Sequence, residues 1–142
     1  MPVYGLNRRT FLALMAPAAC LSAASVATVH KLRGRLAPAA DQPSPEGDSL
    51  VFVTLDGQKH TVTGDIFSLG QLRDARLAGR VWELEGIPAP NAPFEIQKLF
   101  TIKDEKRYVV TYYCDVCHIY THEPGKCMCC QDETVLQEYL EK

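Results

Sequence analysis

From residue 49 onwards, short apolar runs alternate with turn-forming residues, the rhythm of a small β domain and not of helices. Residues 49–54 read Ser-Leu-Val-Phe-Val-Thr, and Asp56-Gly57 behind them has the form of a tight hairpin turn. Residues 59–67 alternate in their middle, which predicts Val62 and Ile66 on one face. Residues 69–78 are the stretch of helical character before the C-terminus. Val81, Trp82, Leu84 and Ile87 mark a further strand, and residues 88–93 a turn-rich loop. Residues 94–102 and 107–113 predict a second hairpin crossing at 103–106, with Val109 and Val110 as its most buried part. Residues 132–142 are predicted to close the chain as a short helix with Val135, Leu136 and Leu140 facing inward.

About five short strands in so few residues predict a mainly β fold, a small antiparallel barrel or sandwich carrying a C-terminal metal ribbon. The segment Gly79-Arg80-Val81-Trp82-Glu83-Leu84-Glu85-Gly86 resembles a strand of an OB-type barrel. An N-terminal hydrophobic helix is expected to precede this domain. The predicted divisions are an address segment or anchor at 1–35, an extended linker at 36–48, the β domain at 49–113 and the cysteine-rich ribbon with its helix at 114–142. Three prolines and few large apolar residues mark the linker. Lys59 and His60 are expected on a solvated strand face.

Charge is divided unevenly. Residues 1–40 hold five basic residues and no acid, so all 17 acids of the chain oppose the other ten bases in residues 41–142. An acidic body has no footprint for phosphate backbones, which argues against nucleic acid as a partner. Asn7-Arg8-Arg9-Thr10-Phe11-Leu12, followed by an uncharged Ala- and Leu-rich stretch, resembles a twin-arginine export signal. That resemblance implies export to the periplasm or the outer face of the inner membrane. If uncleaved, the stretch would be long enough to anchor the protein in the membrane, whereas Ser25-Val26-Ala27 and Ala37-Pro38-Ala39 offer cleavage sites. Cys20 lies inside it as a small apolar residue. A protein partner in an envelope or membrane complex follows as an expectation.

Five of the six cysteines fall between 114 and 130. Cys114-Asp115-Val116-Cys117 and Cys127-Met128-Cys129-Cys130 are two turns that can each aim two thiolates at one ion, and together they make a tetrathiolate site for zinc, iron or copper(I). Tyr113 to His122 resembles the first knuckle of rubredoxin-like domains, including the rubredoxin-like tail of rubrerythrins. Pro124 to Cys130 resembles their second knuckle and that of small heavy-metal-binding zinc ribbons. The resemblance implies Cys114, Cys117, Cys127 and Cys130 as ligands. Those families place glycine after each second cysteine, where this chain has His118 and Gln131, and carry no counterpart of Cys129. The change favours zinc over iron, whose potential depends on amide-to-sulfur bonds.

Other readings of the same residues stay open. Cys114-Asp-Val-Cys117-His118 satisfies the c-type haem pattern, with His118 as axial ligand and Met128 or His122 opposite. Clustered cysteines in an oxidising compartment also form disulfides. Cys129, His118 or His122 could replace a ligand in a mixed site. A closed four-thiolate site has no open position for hydrolysis, and no nucleophile–base set or phosphate loop is visible, so an enzyme is not expected. The leading expectation is an exported zinc-binding module with a structural or binding role. An electron carrier using iron or haem is the alternative.

Overall fold

The computed structural model describes residues 28–142. The export and anchor readings for Arg8, Arg9, Cys20 and their neighbours lie outside them. Among the described residues no helix is long and apolar enough to cross a membrane.

The fold is mainly β, as its alternation predicted. Strands β1 (His30–Leu36), β2 (Ser49–Thr54), β3 (Lys59–Thr63), β4 (Val81–Ile87) and β5 (Phe94–Lys103) pair in the order β3-β2-β1-β4-β5. A parallel pairing of β3 with β5, Val62 opposite Phe94 and Thr63 opposite Glu95, closes the ring. The result is a closed ring of five strands. Leu50, Phe52, Val62, Trp82, Leu84, Phe94 and Ile96 fill it. Helix α1 (Ile66–Arg73) lies between β3 and β4 and contributes Leu69 and Leu72 to the same core. Its first turn is capped by Asp65, whose side chain accepts from the Ser68 amide at 2.7 Å.

Closing so small a barrel needs sharp strand coiling, and two glycines mark where it happens. A Cβ on Gly34 would come within 2.0 Å of the Val53 carbonyl oxygen, and one on Gly86 within 1.9 Å of that of Glu95. The β4–β5 register shifts between Glu85 and Gly86, as expected of a barrel corner.

Strand β6 (Lys106–Cys114) returns from β5 through Asp104 and Glu105, both with positive φ, a two-residue turn of the primed type. It then leaves the barrel as the centre of a second small sheet. Strand β8 (Val135–Leu140) pairs with it from Tyr108 to Tyr113, and β7 (Ile119–Thr121) pairs with it from Tyr112 to Cys114.

Four expectations are corrected. Residues 135–140 form strand β8 and not a helix, because Tyr108–Tyr113 of β6 offers an open edge whose hydrogen bonds a short helix could not satisfy. Residues 30–35, assigned to the address segment, belong to β1, the strand between β2 and β4. The 36–48 segment joins β1 to β2 and so does not link an anchor to the domain; it is mostly exposed but pinned by buried Ala37 and by Gln42, which bonds the carbonyls of Ala37 and Val51 and the Val51 amide. Val62 and Ile66 do not share a face, since Val62 is buried in β3 while Ile66 opens α1 and is 71 % exposed.

Candidate metal centre

Strand β6 runs from the barrel straight into Cys114, its last residue. There the chain turns so that the Cys117 amide faces Cys114 Sγ at 3.4 Å and the His118 amide donates to the Cys114 carbonyl at 2.9 Å. The second turn repeats the pattern. The Cys129 amide faces Cys127 Sγ at 3.4 Å, and the Gln131 amide donates to the Cys127 carbonyl at 3.0 Å. An isolated bridge between Lys126 and Glu133 and a bond from the Cys127 amide to the Asp132 carbonyl hold this second turn closed.

Both turns end in the left-handed region, at His118 (φ 55°) and Gln131 (φ 63°). These are the two positions where the resembling families carry glycine. The backbone adopts the glycine conformation without the glycines, which costs strain at two residues that bear side chains. At His118 a contact offsets it: Nδ1 shares a 2.7 Å hydrogen bond with the Tyr113 hydroxyl.

The sulfurs of Cys114, Cys117, Cys127 and Cys130 all lie within 4.8 Å of one another, and none is in a disulfide. A tetrahedral zinc with bonds of about 2.3 Å sets its sulfurs about 3.8 Å apart. The cluster therefore fits a single soft ion, and four thiolates are the donor set such an ion takes. Cys114 and Cys127 are buried and Cys117 and Cys130 half-buried. Cys129 is exposed and stands apart from the cluster. His118 and His122 are exposed and also stand outside it, as does Met128, which is 83 % exposed.

Thiol acidity follows the amides. Hydrogen bonds from the Cys130 and Cys129 backbone lower Cys127 to about 7. Cys117 is pushed upward, first by its hydrogen bond to Cys130 and then by burial. Cys127 is thus the thiol whose proton an incoming metal ion would displace most easily.

The ribbon is docked on the barrel by polar contacts that sequence reasoning missed. Gln71 of α1 is buried and donates to the His122 carbonyl at 2.9 Å and the Val110 carbonyl at 3.5 Å. It fills the gap on the β6 edge between the segments paired with β5 and β7. Just beyond α1, Asp74 accepts from the Tyr112 hydroxyl at 2.8 Å. Arg76 donates to the Thr134 carbonyl at 3.0 Å and lies over the Tyr112 ring. A Cβ on Gly70 would sit 3.2 Å from Pro124 Cδ, so helix and ribbon are in close contact. A lone glutamine in a helical stretch carries no signal of this role. Burial of its amide between two carbonyls exists only in three dimensions.

Compared with protein-family models, curated proteins and solved structures, the chain matches none.

Proposed function

We propose that this chain is an exported metal-binding module whose zinc ion, held by Cys114, Cys117, Cys127 and Cys130, locks the C-terminal ribbon onto the barrel. The convergence of four sulfurs within 4.8 Å carries the reading. A four-thiolate zinc site is closed, so its role is structural and the module acts by binding, not by catalysis. The twin-arginine pattern at Asn7 to Leu12 supports export, either as a periplasmic protein or tethered to the outer face of the inner membrane. Exposed Ile119, Tyr120 and Tyr139 around the ribbon suit a protein partner in an envelope assembly.

A second reading rests on the two left-handed residues. Because His118 and Gln131 adopt the conformation of the glycines they replace, and amides face the sulfurs of Cys114 and Cys127, the site also suits iron and electron transfer. Haem is less well supported: attachment through Cys114 and Cys117 would take two of the four sulfurs from the cluster.

Elemental analysis together with a visible spectrum decides between these readings. One zinc per colourless chain is the expected result. Red iron–thiolate absorption would transfer the function to electron carriage, and a sharp Soret band would establish haem. Fractionation of cells producing the full chain tests the export half, with loss of the periplasmic or membrane pool expected when Arg8 and Arg9 are both changed to lysine. A cytoplasmic pool in the unaltered protein would overturn export.

A further inference from the structure

A cavity of about 550 Å³ lies where the end of β1, the segment 37–48 and the C-terminal end of α1 meet. Leu36, Ala37, Ala39, Pro45 and Leu50 make its walls apolar, and no acidic residue lines it. Among its polar residues, Gln42 is fully used, with its amide bonded to Ala37 and Val51. Ser44 accepts from the Glu46 amide, which leaves its hydroxyl proton free to donate.

Arg73 is different. Its Nη2 donates to the Gly47 carbonyl, and its Nε, without a hydrogen-bond partner among the described residues, is sealed by the protein and out of a ligand's reach, so the outer part of the guanidinium is what lines the cavity. Arg33, Arg76, Arg80 and Arg107 each hold a carboxylate, and Arg35, which holds none, is exposed to solvent. No described carboxylate lies within ion-pair distance of Arg73. A half-buried guanidinium beside apolar walls and without an acid can take an anion on its outer nitrogens.

We propose that this cavity binds a small organic carboxylate, its acid group on Arg73 and Ser44 and its apolar body against Leu36, Ala37 and Leu50. The apolar walls disfavour a bare inorganic anion, which could not use them. The arginine disfavours a neutral hydrocarbon, which would leave the charge unpaired. The volume is in the range of small-molecule sites. The site is independent of the cysteine cluster, so either can fail without the other.

Calorimetry on the metal-loaded full chain tests it with octanoate as the probe and octanol and sulfate as controls. Octanoate is expected to bind one to one and raise the melting temperature, and the controls to do neither. Arg73→Gln should weaken octanoate about 10- to 100-fold, the range for losing a charge-assisted hydrogen bond, and Arg73→Lys should weaken it less. Ala39→Leu, which narrows the cavity at another of its lining residues, should also weaken binding with Arg73 intact, and it decides the matter if Arg73→Gln fails to fold. No binding at millimolar octanoate overturns the proposal. So does binding that Ala39→Leu leaves unchanged, or binding equalled by octanol. Metal content should stay the same in every variant.

Discussion

In the barrel, Leu50, Phe52, Val62, Trp82 and Leu84 are at most 1 % exposed and pack on one another. From Asp115 to Glu133 in the ribbon the one buried side chain is Cys127. The two regions share strand β6, which is core at Val110 and Tyr112 and part of the cysteine cluster at Cys114. Yet they hold together by different means. Apolar burial suffices where five strands can enclose a centre. A segment of about twenty residues has too little apolar surface to do so, and a metal held by its four cysteines would supply the missing free energy.

Removing the ion should separate the regions most. Structural zinc is worth about 10–16 kcal/mol of binding in small peptides, so Cys127→Ser is expected to abolish metal retention. Hydrogen exchange should then rise across residues 115–134 while the amides of Phe52 and Val62 stay protected. Loss of protection in both would make barrel and ribbon one cooperative unit and break the comparison.

The converse change is Trp82→Ala, expected to cost about 3–5 kcal/mol from cavity formation in the core. Denaturant titration should show the barrel weakened, with one metal per chain still bound below the transition. Early metal release would mean that the cluster depends on barrel packing for its shape.

Gln71→Ala probes the seam. It strands the Val110 and His122 carbonyls, a cost of about 1–3 kcal/mol, and should speed exchange in β7 more than in β2. Equal acceleration in both strands would deny Gln71 a docking role.

Glu138 of β8 tests the seam by pH. Burial alone would raise its pKa, but Lys103, Thr101 and Arg80 outweigh that and hold it below the ordinary 4.5. A depressed folded-state pKa gives stability that is full above about pH 4.5 and is lost as pH falls through the folded value. Glu138→Gln should therefore cost about 1 kcal/mol at pH 7, and the gap to the unaltered protein should close in acid. A gap that does not change with pH would place the effect in packing.

The smallest expected effect is at His118. In a Tyr113→Phe background, which removes the compensating hydrogen bond, His118→Gly should stabilise by about 1 kcal/mol or less through relief of the left-handed backbone. A loss of stability on thermal melting would show that the imidazole contributes beyond that bond.

Much of the barrel was legible because short apolar and β-branched runs bounded by turn residues mark strands locally, as at residues 49–54, 81–87 and 94–102. Strand β1 was missed, because it was read as the flank of an address segment. Leu32, Gly34 and Leu36 alternate with Lys31, Arg33 and Arg35, and the charges of Lys31 and Arg33 meet Glu83 and Glu85 across β4. Local periodicity cannot say what a basic residue faces. Strand β8 was not legible: Val135, Leu136 and Leu140 satisfy a short helix as well as a strand, and the open edge of β6 decided between them.

By itself, then, the sequence determined the chemistry of the site, because four soft donors in two tight turns are set by spacing within a few residues of chain. It also determined the β character of the domain, through local alternation. Tertiary structure alone decided the closure of the barrel by β3 and β5, the strand at the C-terminus, the role of Gln71 and the placing of Arg73 at a cavity without an acid. Each of these depends on residues dozens of positions apart meeting, and on whether a polar group finds its partner when they do.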